Sequence, residues 1–532
     1  MVETMAGTGR LIRLILRRER IRLSVWIAVL ALVPVSTANA FIGLYPTEES
    51  RVALAATVVS NPAFTALLGP LHNPRIGALT AWRFGTIGAV LVGVMAILTV
   101  VRHTREEEET GRRELLGSTV VGRSAPLAAT LIVIAGAGLL LGLLIAAGLI
   151  GVGLETSGSI AFGLGFAGLT FTFASVGALA AQLSQFSSTA RGIGMGIVGL
   201  AVLGFLLRTV GGESTAWLVW LSPIGWFTEL RPFAGEEWWI LGLWLGFGVV
   251  MISVAVVLAA RRDVGAGAFP PRPGPSTAGA SLSNPLGLAW RLHRGSVLGW
   301  TVGLALLGAV YGAAADGIGD MLEGNPALLE IFEQLGGGRG LVDTFFSAAV
   351  GIIALIASAY AVGAVLRLDV EEDRVRAEPV LATATPRSRF AWSHLIFGIV
   401  GPVLILAVAG AVAGATYGMI VGDIAGWVPR VVGSALAQLP AVWVLTGATM
   451  ALYGLAPQYT GLSWGVLVWC LLLGQLGQIL QFPQWSLNLS PFSHIPLIPA
   501  EDVEVFPILV LLVIAAALIG AGLVGFRRRD IG

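Results

Sequence analysis

The sequence predicts an all-α integral membrane protein made of two parallel repeats, each with six membrane-crossing helices. Three observations carry that reading: a composition suited to lipid, about twelve apolar runs of spanning length, and paired markers at a nearly constant spacing. Of 532 residues, 56% are hydrophobic and 12% charged, against about 25% charged in a soluble domain. Mean hydropathy is +0.84.

A helix needs roughly 20 apolar residues to cross a ~30 Å hydrocarbon core. Such runs lie near 23–43, 84–101, 126–151, 160–183, 192–210 and 238–260. Six more lie near 297–315, 345–366, 391–420, 430–455, 461–480 and 505–526. The arginine-rich start and the length of the first run predict a retained anchor, not a cleaved signal. Cys470 lies inside a span, so no disulfide framework is expected. All 32 Lys+Arg residues are arginine. Most of them, Arg10 to Arg22, Arg191, Arg261, Arg262, Arg291, Arg294 and Arg527 to Arg529 included, fall on one side if both termini are cytoplasmic. Arg51, Arg75, Arg231 and Arg339 fall on the other, the asymmetry of the positive-inside rule. The expected location is a prokaryotic cytoplasmic membrane.

Two charged islands, 102-RHTREEEETGRRELLGSTVVGRS-124 and 367-RLDVEEDRVRAEPVLATATPRS-388, interrupt the apolar chain. Glu107 and Glu108 pair with Glu371 and Glu372, Arg112 with Arg376, Glu114 with Glu378 and Arg123 with Arg387, always 264 residues apart. Asn-Pro-Ala at 61–63 returns at 325–327 with the same spacing, and Leu-Ser-Pro at 221–223 returns at 489–491. Arg-Arg-Asp-aliphatic-Gly closes each half at 261–265 and 528–532. Arg17, Arg20 and Trp26 answer Arg291, Arg294 and Trp300. Internal repetition of this kind defines architecture: a first half over 1–265, a Pro/Gly/Ser-rich cytoplasmic linker over 266–285, and a second half over 286–532. Each half opens with a basic segment. In the first, Arg10, Arg13, Arg17 and Arg20 recur at helical spacing with Ile12, Ile15, Leu16 and Leu23 on other faces, as suits an interfacial helix drawn to anionic lipid.

Several chemistries are excluded. A P-loop needs a lysine, and the chain has none. One cysteine and five scattered histidines build no zinc site. The quartet Glu106 to Glu109 stands among arginines, so it reads as a salt-bridge lattice. No Asp or Glu falls inside the spans, where ion-coupled transporters place ionisable groups. Gln182, Gln438, Gln475 and Gln478 cannot titrate and suit interhelical hydrogen bonds or a cavity wall.

Glu107, Glu108, Arg112 and Glu114 are expected within two helical turns, with Glu108 and Arg112 paired at i,i+4 and Leu115 and Leu116 as an apolar anchor. A charged loop of this pattern after the second span of each half, with Arg-Ser before the third, resembles the first cytoplasmic loop of ABC-2-type exporter permeases. The fused, double-length arrangement is similar to the actinobacterial and archaeal permeases of tetronasin and other polyketide antibiotics. The resemblance implies coupling helices that dock on a separate ATPase, through Glu107, Glu108, Arg112, Glu114, Leu115, Leu116 and Arg123, and through Glu371, Glu372, Arg376, Glu378 and Arg387. It implies two ATPase copies, ATP and Mg on that partner with no cofactor here, and a hydrophobic or amphipathic small-molecule substrate besides membrane lipid. No nucleic-acid partner is expected. Two departures suggest unequal docking surfaces: Gly111 has no glycine counterpart near Val375 and Arg376, and Pro379 is expected to interrupt the second helix after Glu378. Two other functions stay open. One is a twelve-span ion-coupled efflux transporter. The other is a membrane enzyme using Glu229, Glu236 and Glu237.

Overall fold

The computed structural model describes residues 5–60, 68–117, 120–210, 212–269, 276, 277, 279, 282, 284–323, 341–476, 484–496, 498 and 505–530. Both Asn-Pro-Ala markers, Gln478 and the side chains of Leu115, Leu116 and Gln475 lie outside that description. The chain divides into two compact units, Met1–Gly274 and Pro275–Gly532. Among the described residues no strand occurs, and eleven helices are long and apolar enough to cross a membrane. The chain is an all-α, multi-pass membrane protein.

The first unit comprises α1 (Thr8–Glu19), α2 (Arg22–Leu44), α3 (Glu48–Ser60), α4 (Ile76–Val101), α5 (Arg112–Gly117), α6 (Ala125–Gly151), α7 (Thr156–Leu183), α8 (Ser187–Val210), α9 (Pro223–Glu229) and α10 (Trp239–Arg261). The second comprises α11 (Pro285–Glu323), α12 (Leu341–Asp373), α13 (Ala377–Leu381), α14 (Arg387–Val421), α15 (Ile424–Ala437), α16 (Leu439–Leu455), α17 (Leu462–Leu476), α18 (Gln484–Leu487) and α19 (Val505–Arg528). The place of the twelfth span is held by α17, whose apolar stretch Leu462–Leu471 is shorter than the other eleven. The span expected at 430–455 lies within Ile424–Leu455, where a single turn residue, Gln438, separates α15 from α16. Pro440, in the first turn of α16, donates no N–H to the turn before it.

In the first unit α7 is the central helix, packed against α4, α6, α8 and α10. It crosses α6 closely because Gly142 and Gly163 face each other, and a Cβ on either would strike the other's carbonyl. Phe162 and Phe166 of α7 meet Phe227 of α9 edge-on at 5.5 and 5.1 Å, which fixes the end far from the islands. The second unit seats α12 among α11, α14 and α16.

The two basic openings differ. In the first unit the chain bends at Arg20 and Ile21, so α1 is separate from α2. Leu11, Ile15 and Glu19 form its buried stripe, while Arg10, Arg13, Arg17 and Arg20 are exposed. The second copy, around Arg291 and Arg294, is the start of one 39-residue helix, so no separate interfacial helix forms there. The linker is also not wholly detached. Ala268 and Phe269 donate backbone hydrogen bonds to Gln182 and Leu183 at the end of α7 (2.8 and 3.1 Å).

Candidate functional site at the charged loops

At the island end of α4 the helix widens into a π turn over Arg102–Glu106, continues through Glu107–Glu109, and stops at Gly111. Gly111 has φ +71°, a left-handed value that reverses the chain into α5. The π turn aims Arg105 inward, where its side chain is wholly buried. Glu108 is buried beside it, and three guanidiniums converge on this one carboxylate: Arg105 (2.9 Å), Arg262 with both terminal nitrogens (2.8 and 2.9 Å), and Arg113 of α5.

The surplus positive charge goes to carbonyls that the helix ends leave open. Arg105 donates to the carbonyls of Ala181 in α7 (2.8 Å) and Ala266 (3.0 Å). Arg123 donates to Ala259 (3.2 Å) and Arg262 (2.5 Å) at the end of α10. The Gln182 side-chain oxygen accepts from Arg262 Nε (2.9 Å). Burial first, then Arg262, Arg105 and Arg123, pull Arg113 down to about 10; it stays charged at neutral pH. Burial also lowers Arg262.

The other acids tie further elements to the loop. Glu107 holds Arg18 of α1 (2.6 Å) and lies 3.5 Å from Arg112. Glu106 pairs with Arg191 of α8 (3.2 Å). Glu109 accepts from the backbone N–H of Ser187 at the start of α8 (2.9 Å), a favourable place for a carboxylate. Glu19 of α1 meets His103 (2.8 Å) and Arg102 (3.1 Å).

The second unit repeats the plan with different residues. Arg529, the counterpart of Arg262, pairs with Glu372, donates to the Tyr453 carbonyl (3.0 Å) and lies 4.7 Å over the Tyr453 ring. The Tyr453 hydroxyl donates to Glu372 (2.7 Å). Arg387 donates to the carbonyls of Arg529 (2.7 Å) and Arg527 (3.4 Å), as Arg123 does at α10. Glu371 is buried, 2.8 Å from Arg367 and 3.9 Å from Arg376. Val375 has φ +56° where the first unit has Gly111. The reversal is therefore kept although the glycine is not.

Four expectations need correction. Glu107, Glu108, Arg112 and Glu114 do not share one helix, because Thr110 and Gly111 break it. Glu108 pairs with Arg105, Arg113 and Arg262, while Arg112 turns to Glu107, so the i,i+4 pair does not form. Pro379 does not interrupt α13, since it sits in the first turn, where no N–H is required. Glu108 and Glu371, expected on an exposed docking surface, are buried inside the protein. Arg112, Glu114, Arg376 and Glu378 are exposed on or beside α5 and α13. Sequence reasoning missed Arg105, Arg113 and Tyr453, while Gln182 makes an interhelical hydrogen bond of the kind expected for it. Arg262 and Arg529 were visible as repeat ends, and their duplication was the available signal.

Two of the three acids considered for catalysis, Glu229 and Glu236, hold the far end of the first unit together. Glu229 lies between Arg208 (3.0 Å) and Arg231 (3.4 Å). Glu236 accepts from the Ser157 hydroxyl (3.1 Å) and the Phe233 N–H (3.3 Å), while Glu237 is exposed.

Two helical units, each tying the charged loop after its second span to the end of its last span, make up a multi-pass membrane protein. Residues 282–527 match the family model described as the C-terminal domain of the multidrug efflux system permease Rv1217c. Over 527 residues the chain is 45% identical to the multidrug efflux system permease protein Rv1217c of Mycobacterium tuberculosis, covering 99% of this chain and 95% of that protein. The chain belongs to this family of multidrug efflux permeases.

Proposed function

We propose that the chain is the membrane subunit of an ATP-driven exporter, moving hydrophobic or amphipathic compounds outward across a prokaryotic cytoplasmic membrane. A separate ATPase subunit supplies ATP and Mg. The ABC-2-type, double-length form resembling the polyketide-antibiotic permeases is the specific version of this reading, with both termini and both islands cytoplasmic. The observation that carries it is the pair of short helices, α5 and α13, each placed after a second span. Arg113 of α5 shares Glu108 with Arg262 at the end of α10, and α13 follows Glu372, which pairs with Arg529 at the end of α19. Arg112, Glu114, Arg376 and Glu378 are exposed on or beside these helices, while Glu108 and Glu371 are buried. A push on α5 reaches α10 through Arg113, Glu108 and Arg262 without crossing a soft contact.

Two such helices predict two ATPase copies per chain. Purified alone, the protein is expected to hydrolyse no ATP, and native mass spectrometry of the co-expressed complex should show two ATPases. Turnover by the lone chain, or a complex with a single ATPase, overturns the reading.

A further inference from the structure

We infer that the first unit holds one anionic phospholipid in a groove between α1, α2 and α6, on the leaflet nearest the islands. The groove has a volume of about 480 Å³ and is walled by Leu23 and Ile27 of α2 and by Ile132, Gly136 and Leu140 of α6. That volume lies within the ~300–1,000 Å³ of small-molecule sites. Leu23 and Ile27 belong to the first turns of α2. At 1.5 Å per residue, Ile132 to Leu140 lie roughly 10–22 Å along α6 from Ala125. The slot thus starts at headgroup depth and runs into the acyl region, open on its side: Ile132 and Leu140 are 52% and 47% exposed.

Charge selects the headgroup. Glu19 also lines the groove, but its carboxylate is already held by His103 and Arg102. Its neighbour Arg20 lines the rim and is exposed, with Arg17 and Arg13 exposed further back on α1. The rim therefore presents cations to a phosphate, and a headgroup without a compensating ammonium is favoured. Arg20 stands at the break between α1 and α2, which the second unit's opening helix lacks, and is the cation that lines the groove. Lipid bound here would brace α1 against α6, independently of whether an ATPase docks on α5.

The test uses the full chain in nanodiscs of phosphatidylcholine, doped with a phosphatidylglycerol carrying a photoreactive diazirine in its acyl chain. After irradiation, peptide mapping should place the label on 132–140 and 23–27, at least ten-fold above the same probe with a choline headgroup. A Cβ at Gly136 meets nothing within 4 Å, so a larger side chain enters the groove without displacing its walls. Gly136→Leu should abolish the label and Gly136→Ala should keep it, with melting temperatures of both matching the parent. Arg20→Gln should reduce the phosphatidylglycerol signal to the phosphatidylcholine level. Equal labelling by both headgroups, a label that persists in Gly136→Leu, or displacement of the label by an exported drug would overturn the inference. The last outcome would make the groove a drug entrance.

Discussion

Val375 carries a strain that Gly111 does not. A β-branched residue at φ +56° is a conformational outlier, and the left-handed region costs an L-residue about 1–2 kcal/mol. Val375→Gly relieves that cost but loosens the unfolded chain, so a gain in stability of at most about 1 kcal/mol is expected. Gly111→Val should cost about 1–2 kcal/mol. No atom lies within 4 Å of a Cβ there, so backbone strain alone decides it. Thermal melting of the detergent-solubilised chain checks both, and an unchanged Gly111→Val would show that the reversal is not needed. Glu108 is the more sensitive position. Glu108→Gln leaves three guanidiniums without their carboxylate, and breaking a buried ion cluster costs about 3–5 kcal/mol. The variant should express poorly and melt early, while Glu114→Gln, on the exposed side of α5, should melt with the parent. The pairing of Glu108 with Arg262 was not legible in the sequence. The residues are 154 positions apart, and only the meeting of two helix ends brings them together.

At the scale of elements, α5 and α13 separate two jobs that the charged islands had merged. One face of each loop is internal: Glu108 and Glu371 are buried, and Arg123 and Arg387 cap the last helices. The other face is solvent-exposed and available to a partner. Reversing Arg112 and Glu114 together, or Arg376 and Glu378, should weaken ATPase co-purification without lowering the melting temperature. Exposed charges are screened within about 10 Å at 0.1 M salt, so co-purification of the parent should also fall as salt rises. If both double reversals leave assembly, hydrolysis and export at parental levels, the loops are only solvated connections. The existence of both loops was legible, because charge between apolar runs is a strong signal. Their internal break was half legible: Gly111 marks it in one copy, and nothing about Val375 marks it in the other.

At the scale of the whole molecule, eleven of the twelve expected spans are found among the described residues, and the exception has a local cause: the apolar stretch in α17 is short. The acids within the described spans cluster in their terminal turns. Asp343 is at the far end of α12, buried and 2.5 Å from Arg430 of α15. Asp369, Glu371 and Glu372 are at its other end. A coupling carboxylate must release its proton in one state and hold it in another, and so needs a neutral or changeable setting near the midplane. Asp343 is instead held by the Arg430 guanidinium, a fixed partner on α15. Energy should then enter at the loops, through the ATPase. In inverted vesicles holding the permease and its ATPase, a protonophore that collapses the gradient at constant ATP should leave drug accumulation within about twofold of the untreated rate, where tenfold corresponds to 1.4 kcal/mol of driving force. Asp343→Asn should likewise leave the energy source unchanged, even if it lowers stability by stranding Arg430. Accumulation that stops with the protonophore, and that Asp343→Asn makes insensitive to it, would make Asp343 a proton carrier and the protein an ion-coupled transporter.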